Sequence, residues 1–146
     1  MVVIDASVAV KASLVDGGFD VLSPHGLAAP SLMWSEAASG LRQLEWRGEI
    51  SIEESRLALA RLHELTIATH QSSSLVDDAS TIARQLGWAK TYDAEYLALA
   101  RRLQTSLVTL DARLRRGGST LVSVFGPTEL DNPTLPLVSE PSTGSR

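Results

Sequence analysis

Cysteine is absent from the 146 residues. Disulfides and thiolate-held metals are therefore excluded, and a reducing, cytoplasmic setting is expected. A basic segment ahead of an apolar core is also missing. Met1-Val2-Val3-Ile4 runs straight into Asp5, so a cleaved leader is not expected. No apolar stretch approaches the roughly 20 residues that cross a bilayer, so no membrane partner is expected. Lysine is scarce, with 13 basic side chains of which only Lys11 and Lys90 are lysines. Arginine suits bidentate phosphate contact, although a GC-rich genome would give the same bias. Net positive charge is lacking too: the formal charge is −4, which at first argues against a polyanionic partner. Part of the acidic excess lies at the C-terminal end, where Glu129, Asp131 and Glu140 face a single Arg146. Clustered carboxylates that hold cations in use also change the count.

Several chemistries lack their residues. There is no Gly-x-Ser-x-Gly elbow for a serine hydrolase. His25, His63 and His70 are scattered, without a second His at metal spacing, and read as surface or loop residues. Gly87-Trp88-Ala89-Lys90-Thr91 resembles the end of a phosphate loop but lacks its first glycine and precedes the wrong element.

What is present is a chain of one-domain size with a sizeable apolar share, 44%. Val2-Val3-Ile4 reads as a buried strand ending at Asp5, and Ala6 to Leu14 has helical composition. Residues 16–26 read as a connector, and Pro30 suits the first turn of a second helix that Gly48 stops. Ser51-Ile52-Glu53-Glu54 is a capping box for a third helix. Leu65 to Ile67 is a candidate strand. A fourth helix is capped by Ser73 or Ser74 and ended by Gly87, and a fifth, Tyr92 to Leu103, is capped by Thr91. Ser106 to Leu110 is a strong strand that again ends at an acid, Asp111, and Leu121 to Phe125 is another. Strands alternating with helices imply a parallel α/β sheet. Residues 1–126 form the expected domain. Residues 127–146, rich in Pro, Ser and Thr, read as a disordered tail.

In an open parallel sheet, ligands bind beyond the carboxyl ends of the strands. Asp5 and Asp111 each follow an apolar strand there. Glu36 and Asp93 lie near the starts of helices that begin on the same edge. Four carboxylates in one pocket repel unless a cation or protons intervene. Oxygen donors with no His or Cys among them suit Mg²⁺ or Mn²⁺. Each acid also has a plainer use: Asp5 and Asp111 as N-caps, Asp93 as a favourable charge at a helix start. Glu36, set among Trp34, Ala37 and Ala38, is harder to explain without a partner. Their joint placement carries the metal reading.

At these residues the sequence resembles the PIN-domain family, specifically VapC-type toxins. The matching motifs are Ile4-Asp5-Ala6-Ser7, then Pro30 to Glu36 followed by Leu41, then Tyr92-Asp93-Ala94-Glu95-Tyr96-Leu97-Ala98-Leu99-Ala100, then Leu107 to Asp111 followed by Leu114. The resemblance implies a single PIN-like domain whose central parallel sheet, of about four to five strands, carries helices on both faces. It implies Mg²⁺- or Mn²⁺-dependent cleavage of RNA phosphodiesters by a metal-activated water, leaving 5′-phosphates. It carries over Asp5, Glu36, Asp93 and Asp111 as the catalytic metal ligands, with the hydroxyls of Ser7 and Thr109 as accessory groups. A cognate antitoxin and a homodimer are implied partners. The sequence departs from the pattern at Ser39, where the family often has Asn, and this bears on how Glu36 or the substrate is oriented.

Arg101, Arg102, Arg115 and Arg116 are the candidate contacts for RNA phosphate, and Lys11, two turns past Asp5, is a further one; a solvated helix face explains the arginines equally well. Trp34, Trp46 and the apolar residues of helices two and three are either core or a partner surface. Two other readings remain. A phosphatase of the haloacid-dehalogenase kind would use Asp5 as nucleophile, but wants a second Asp where Ser7 stands. A non-catalytic module would keep the fold alone.

Overall fold

A computed structural model of the chain describes residues 1–131. Five strands form one parallel sheet: β1 (Val2–Ile4), β2 (Leu27–Pro30), β3 (Ile67–His70), β4 (Ser106–Val108) and β5 (Val124–Phe125), in the order β3-β2-β1-β4-β5. Six helices connect them: α1 (Ala6–Ser13), α2 (Leu32–Trp46), α3 (Ile52–His63), α4 (Ser73–Leu86), α5 (Tyr92–Arg102) and α6 (Ala112–Gly118). Every residue of β1 and β4 is buried, as a parallel strand covered on both faces requires. α1, α2 and α3 pack together, α4 packs on α5, and α5 lies across β1, β2 and β4.

From β1 the chain steps outward to β2 and β3, then returns to the other side of β1 to make β4 and β5. The order therefore reverses between β1 and β4, which pair from Val2 against Ser106 to Ile4 against Val108. Beyond the carboxyl ends of these two strands lies the crevice where such sheets place ligands. Asp5 and Thr109 leave the two strands at that point.

The largest difference from the sequence reading is β2. Pro30 closes this strand, paired with His70, rather than opening α2. Ala28 and Ala29 are completely buried, small enough to let helices close over the sheet. β3 starts at Ile67, where Leu65 to Ile67 had been expected, and is an edge strand with a half-exposed pattern. The capping box forms as read: Ser51 accepts from the Glu54 N–H, and Glu54 accepts from the Ser51 N–H.

The tail boundary needs correction. Residues 127–131 form a 3-10 turn instead of opening a disordered tail, with Leu130 buried and Glu129 paired to Arg115 at 2.8 Å. The rest of that expected tail lies outside the described residues. Among the described residues no helix is long and apolar enough to cross a membrane.

Candidate metal centre

Asp5 is the most buried of the acids, only 4% exposed. It caps α1, Oδ1 accepting from the Val8 N–H at 3.1 Å and from the Ser7 hydroxyl at 2.6 Å. Oδ2 accepts from the Thr109 hydroxyl. The two hydroxyls are themselves fixed: Ser7 Oγ accepts from the Leu110 N–H and Thr109 Oγ1 from the Asp111 N–H, each at 3.0 Å. One carboxylate is thus tied through two hydroxyls to the loop leaving β4. Burial pushes the Asp5 carboxyl above the ordinary aspartate range, outweighing its three hydrogen bonds.

Asp111 caps α6, with Oδ1 accepting from the N–H groups of Arg113 at 2.8 Å and Leu114 at 3.2 Å. The plainer N-cap role therefore holds for both strand-end aspartates, alongside any other. Glu36 projects from α2 and accepts from the Tyr96 hydroxyl at 2.6 Å, joining α2 to α5. Burial raises the Glu36 carboxyl, the Tyr96 hydrogen bond opposes that rise, and the charges of Asp93 and Asp5 add to it. Burial and Glu36 together hold the Tyr96 hydroxyl protonated well beyond the usual tyrosine range. Asp93, in the first turn of α5, is raised by burial and by Asp111, against the pull of Arg113, whose Nη2 lies 2.6 Å from Asp93 Oδ2. Glu95 is raised by burial and by the charge of Glu36.

Mutual repulsion therefore links Asp93 to Asp5, Glu36 and Asp111. Among the described residues, no three His, Cys, Asp or Glu side chains close into a ready-made metal shell. The donor chemistry nevertheless fits a hard divalent cation. Glu36, Asp93 and Asp111 each commit one oxygen to a donor, and among the described residues the other oxygen has no hydrogen-bond partner. Glu36 and Asp93, raised by burial and by neighbouring negative charge, are carboxyls whose ionised form lacks a compensating charge.

The candidate phosphate contacts divide. Arg101 and Arg102 sit in the last turn of α5, at the opposite end from Asp93, and Arg102 is paired with Asp78 at 2.7 Å. α5 thus sets both at its far end, so any RNA phosphate they meet would lie away from Asp93. Arg115 is engaged with Glu129, and Arg116 is exposed on α6. Lys11 is exposed on α1. Ser39 is hydrogen-bonded to Gln43 at 3.2 Å along the exposed side of α2, so Tyr96 orients Glu36 instead. Trp34 is half-buried, its indole N–H donating to Thr69 at 3.1 Å, whereas Trp46 is 76% exposed.

Sequence reasoning missed Tyr96 and Arg113. A signal for Tyr96 existed: it lies three residues after Asp93, on the same helix face.

Comparison with known proteins identifies the family. Residues 2–118 match the model of the PIN domain. A VapC ribonuclease of Mycobacterium bovis is 37% identical over 119 residues, covering 81% of this chain and 91% of that protein. The chain belongs to the PIN-domain family, in its VapC branch. The ribonuclease VapC9 of Mycobacterium tuberculosis matches equally, at 37% identity over 81% of this chain and 91% of its own length. The fold is shared with the solved structure of PAE2754 from Pyrobaculum aerophilum, with a TM-score of 0.69, 23% identity and coverage of 88% of this chain and 92% of that one. It is shared also with FitAcB from Neisseria gonorrhoeae, with a TM-score of 0.59, 16% identity and coverage of 88% and 99%. Both of these VapC relatives are ribonucleases.

Proposed function

We propose that this chain is a divalent-metal-dependent endoribonuclease acting as the toxin of a toxin–antitoxin pair. The observation that carries the reading is the set of half-used carboxylate oxygens on Glu36, Asp93 and Asp111, beside the buried Asp5 at the β1–β4 reversal. Asp5, Glu36, Asp93 and Asp111 would hold Mg²⁺ or Mn²⁺. Such an ion, when bound, supplies positive charge that makes water a better nucleophile and offsets charge building on the phosphate.

The chain's own groups do the positioning. Ser7 and Thr109 hold the Asp5 carboxylate at a fixed angle to β4. Tyr96, itself buried, fixes Glu36 and, holding its proton tightly, remains a hydrogen-bond donor. Arg113 restrains Asp93 and brings a guanidinium to the cleft. Products with 5′-phosphates, a cognate antitoxin, a homodimer and a cytoplasmic location are part of the same proposal.

The test is cleavage of RNA by the purified chain with Mn²⁺, with EDTA, and after Asp5→Asn or Asp93→Asn. Cleavage that needs the ion and is lost in both variants, with folding retained by circular dichroism, is expected. A purified variant that still cleaves would remove the assignment. The phosphatase reading is disfavoured, because both Asp5 oxygens already accept hydrogen bonds and Ser7 occupies the place of the second Asp.

A further inference from the structure

Beside the carboxylates lies a cleft of about 410 Å³, within the about 300–1,000 Å³ range of small-molecule sites. Glu36 and Asp93 border it on the acidic side. Trp88, Ala89, Lys90, Tyr92 and Arg113 complete its lining. We propose that this cleft seats a nucleotide of single-stranded RNA adjoining the scissile phosphate, the Tyr92 ring stacking on its base and Lys90 and Arg113 meeting its phosphates. The proposal rests on the ribonuclease reading and specifies how that site would grip its substrate.

Local structure explains the rigidity of one wall. Gly87 ends α4 in a left-handed conformation, φ +71°. The next N–H, that of Trp88, bonds back to the Ala83 carbonyl at 2.8 Å, while the Gly87 N–H reaches Arg84 at 3.2 Å. This double closure fixes where Trp88 leaves the helix. Its indole then packs along one face of α6. A methyl group at Gly117 would come within 2.6 Å of the ring, so only glycine leaves room. One turn earlier on that face, the Arg113 guanidinium carbon stands 5.7 Å from the ring centroid. Arg113 is therefore held between an aromatic face and Asp93, with donors to spare for a phosphate.

Tyr92 differs from the buried Tyr96. Its ring is 57% exposed in the first turn of α5, directly before Asp93. An exposed ring next to two cations and a cation-hungry acidic cluster matches the stacking platforms and backbone-tracking charges of single-strand binders. A protein segment would gain little from a lining so rich in charge.

The experiment measures binding of a labelled, mixed-sequence single-stranded RNA by fluorescence anisotropy, with Mg²⁺, in an Asp5→Asn background across a salt series. Tyr92→Ala should weaken binding about 5-fold to about 100-fold with the salt slope unchanged, and Tyr92→Phe should restore it. Lys90→Ala should lower the slope by roughly one phosphate contact. Unchanged affinity and slope in folded variants would overturn the proposal. So would variants that keep RNA affinity but lose a co-purifying protein, which would make the cleft a protein-docking face. No RNA binding by the Asp5→Asn parent would overturn it as well. RNA binding that depends on Tyr92 and Lys90, in a chain that cleaves no RNA with Mn²⁺, would leave the subsite standing and remove the nuclease reading alone.

Discussion

Tyr96 donates its hydroxyl hydrogen to Glu36 over 2.6 Å, bridging residues 60 positions apart in the chain. The ring of Tyr96 is only 1% exposed, so this hydroxyl has few alternative partners. The bond fixes one Glu36 oxygen and lowers the cost of ionising a carboxyl that burial otherwise raises.

Tyr96→Phe removes that donor with little change of shape. Metal affinity should fall, and RNA cleavage should drop by about 10-fold or more, since losing a hydrogen bond to a charged group costs about 1.5–3 kcal/mol. The acidic limb of the pH–rate profile should move to higher pH, because Glu36 becomes harder to ionise. Isothermal titration with Mn²⁺ and a pH–kcat series check this. A wild-type pH limb and affinity would show that Tyr96 serves packing only.

Thr109 links two chain segments with one hydroxyl, donating to Asp5 and accepting from the Asp111 N–H. Thr109→Ala strips a buried carboxylate oxygen of its donor and orphans a backbone N–H. A loss of about 1–3 kcal/mol is expected, while Thr109→Ser should recover most of it. Chemical denaturation of the three proteins measures the difference. Equal midpoints for Thr109→Ala and the parent would show that water replaces the hydroxyl without cost.

The four acids were legible because two of them directly follow apolar strands and the other two lie near helix starts, features visible in one dimension. β2 was not. Leu27-Ala28-Ala29-Pro30 has no β-branched residue, and its strand character comes from burial between neighbours. Adjacent arginines looked alike in sequence, yet position along a helix decided their use: Arg102 ends α5 on the far edge and pairs with Asp78, whereas Arg113 opens α6 beside Asp93. Tyr96 and Arg113 act on partners that only the folded chain brings near.

The pH dependence of the metal-free protein follows from Asp5, Glu36 and Asp93, all raised by burial. A raised acid binds its proton more tightly when folded. The stability it contributes is complete below the ordinary carboxylate values, about 3.9 for Asp and 4.3 for Glu, and is lost as pH rises through the higher folded values. Glu129 runs the other way: Arg115 lowers it, so its share appears above the ordinary value and is lost in acid, and its exposure keeps that share small. In EDTA, then, the three acids should make the protein less stable at neutral pH than just above the ordinary carboxylate range. Mn²⁺ should stabilise it more at neutral pH than in acid, because protons and cation compete for the same oxygens. Thermal melts at both pH values, with and without Mn²⁺, decide. A stabilisation by Mn²⁺ that is equal at the two pH values would place the ion elsewhere.

Arg113 offers the sharpest separation of roles, because its two contacts predict opposite effects. Its pair with Asp93 is short, 2.6 Å, but the arginine side chain is 63% exposed, so the pair should add at most about 1 kcal/mol to stability. For a divalent cation the same guanidinium is a competitor: it occupies an Asp93 oxygen and places positive charge where the ion must approach. Arg113→Ala should therefore leave the melting temperature nearly unchanged and tighten Mn²⁺ binding several-fold, since each 1.4 kcal/mol of relieved repulsion is tenfold. RNA should respond in the reverse sense, with KM rising as a phosphate contact and its geometry are lost. Arg113→Lys should keep the charge, and so the weaker metal binding, but not the planar guanidinium that stands over the Trp88 ring at 5.7 Å. Measuring Mn²⁺ affinity and KM on the same preparations tests both arms. Metal and RNA binding that weaken together would mean that Arg113 simply braces the site and does not mediate between cation and substrate.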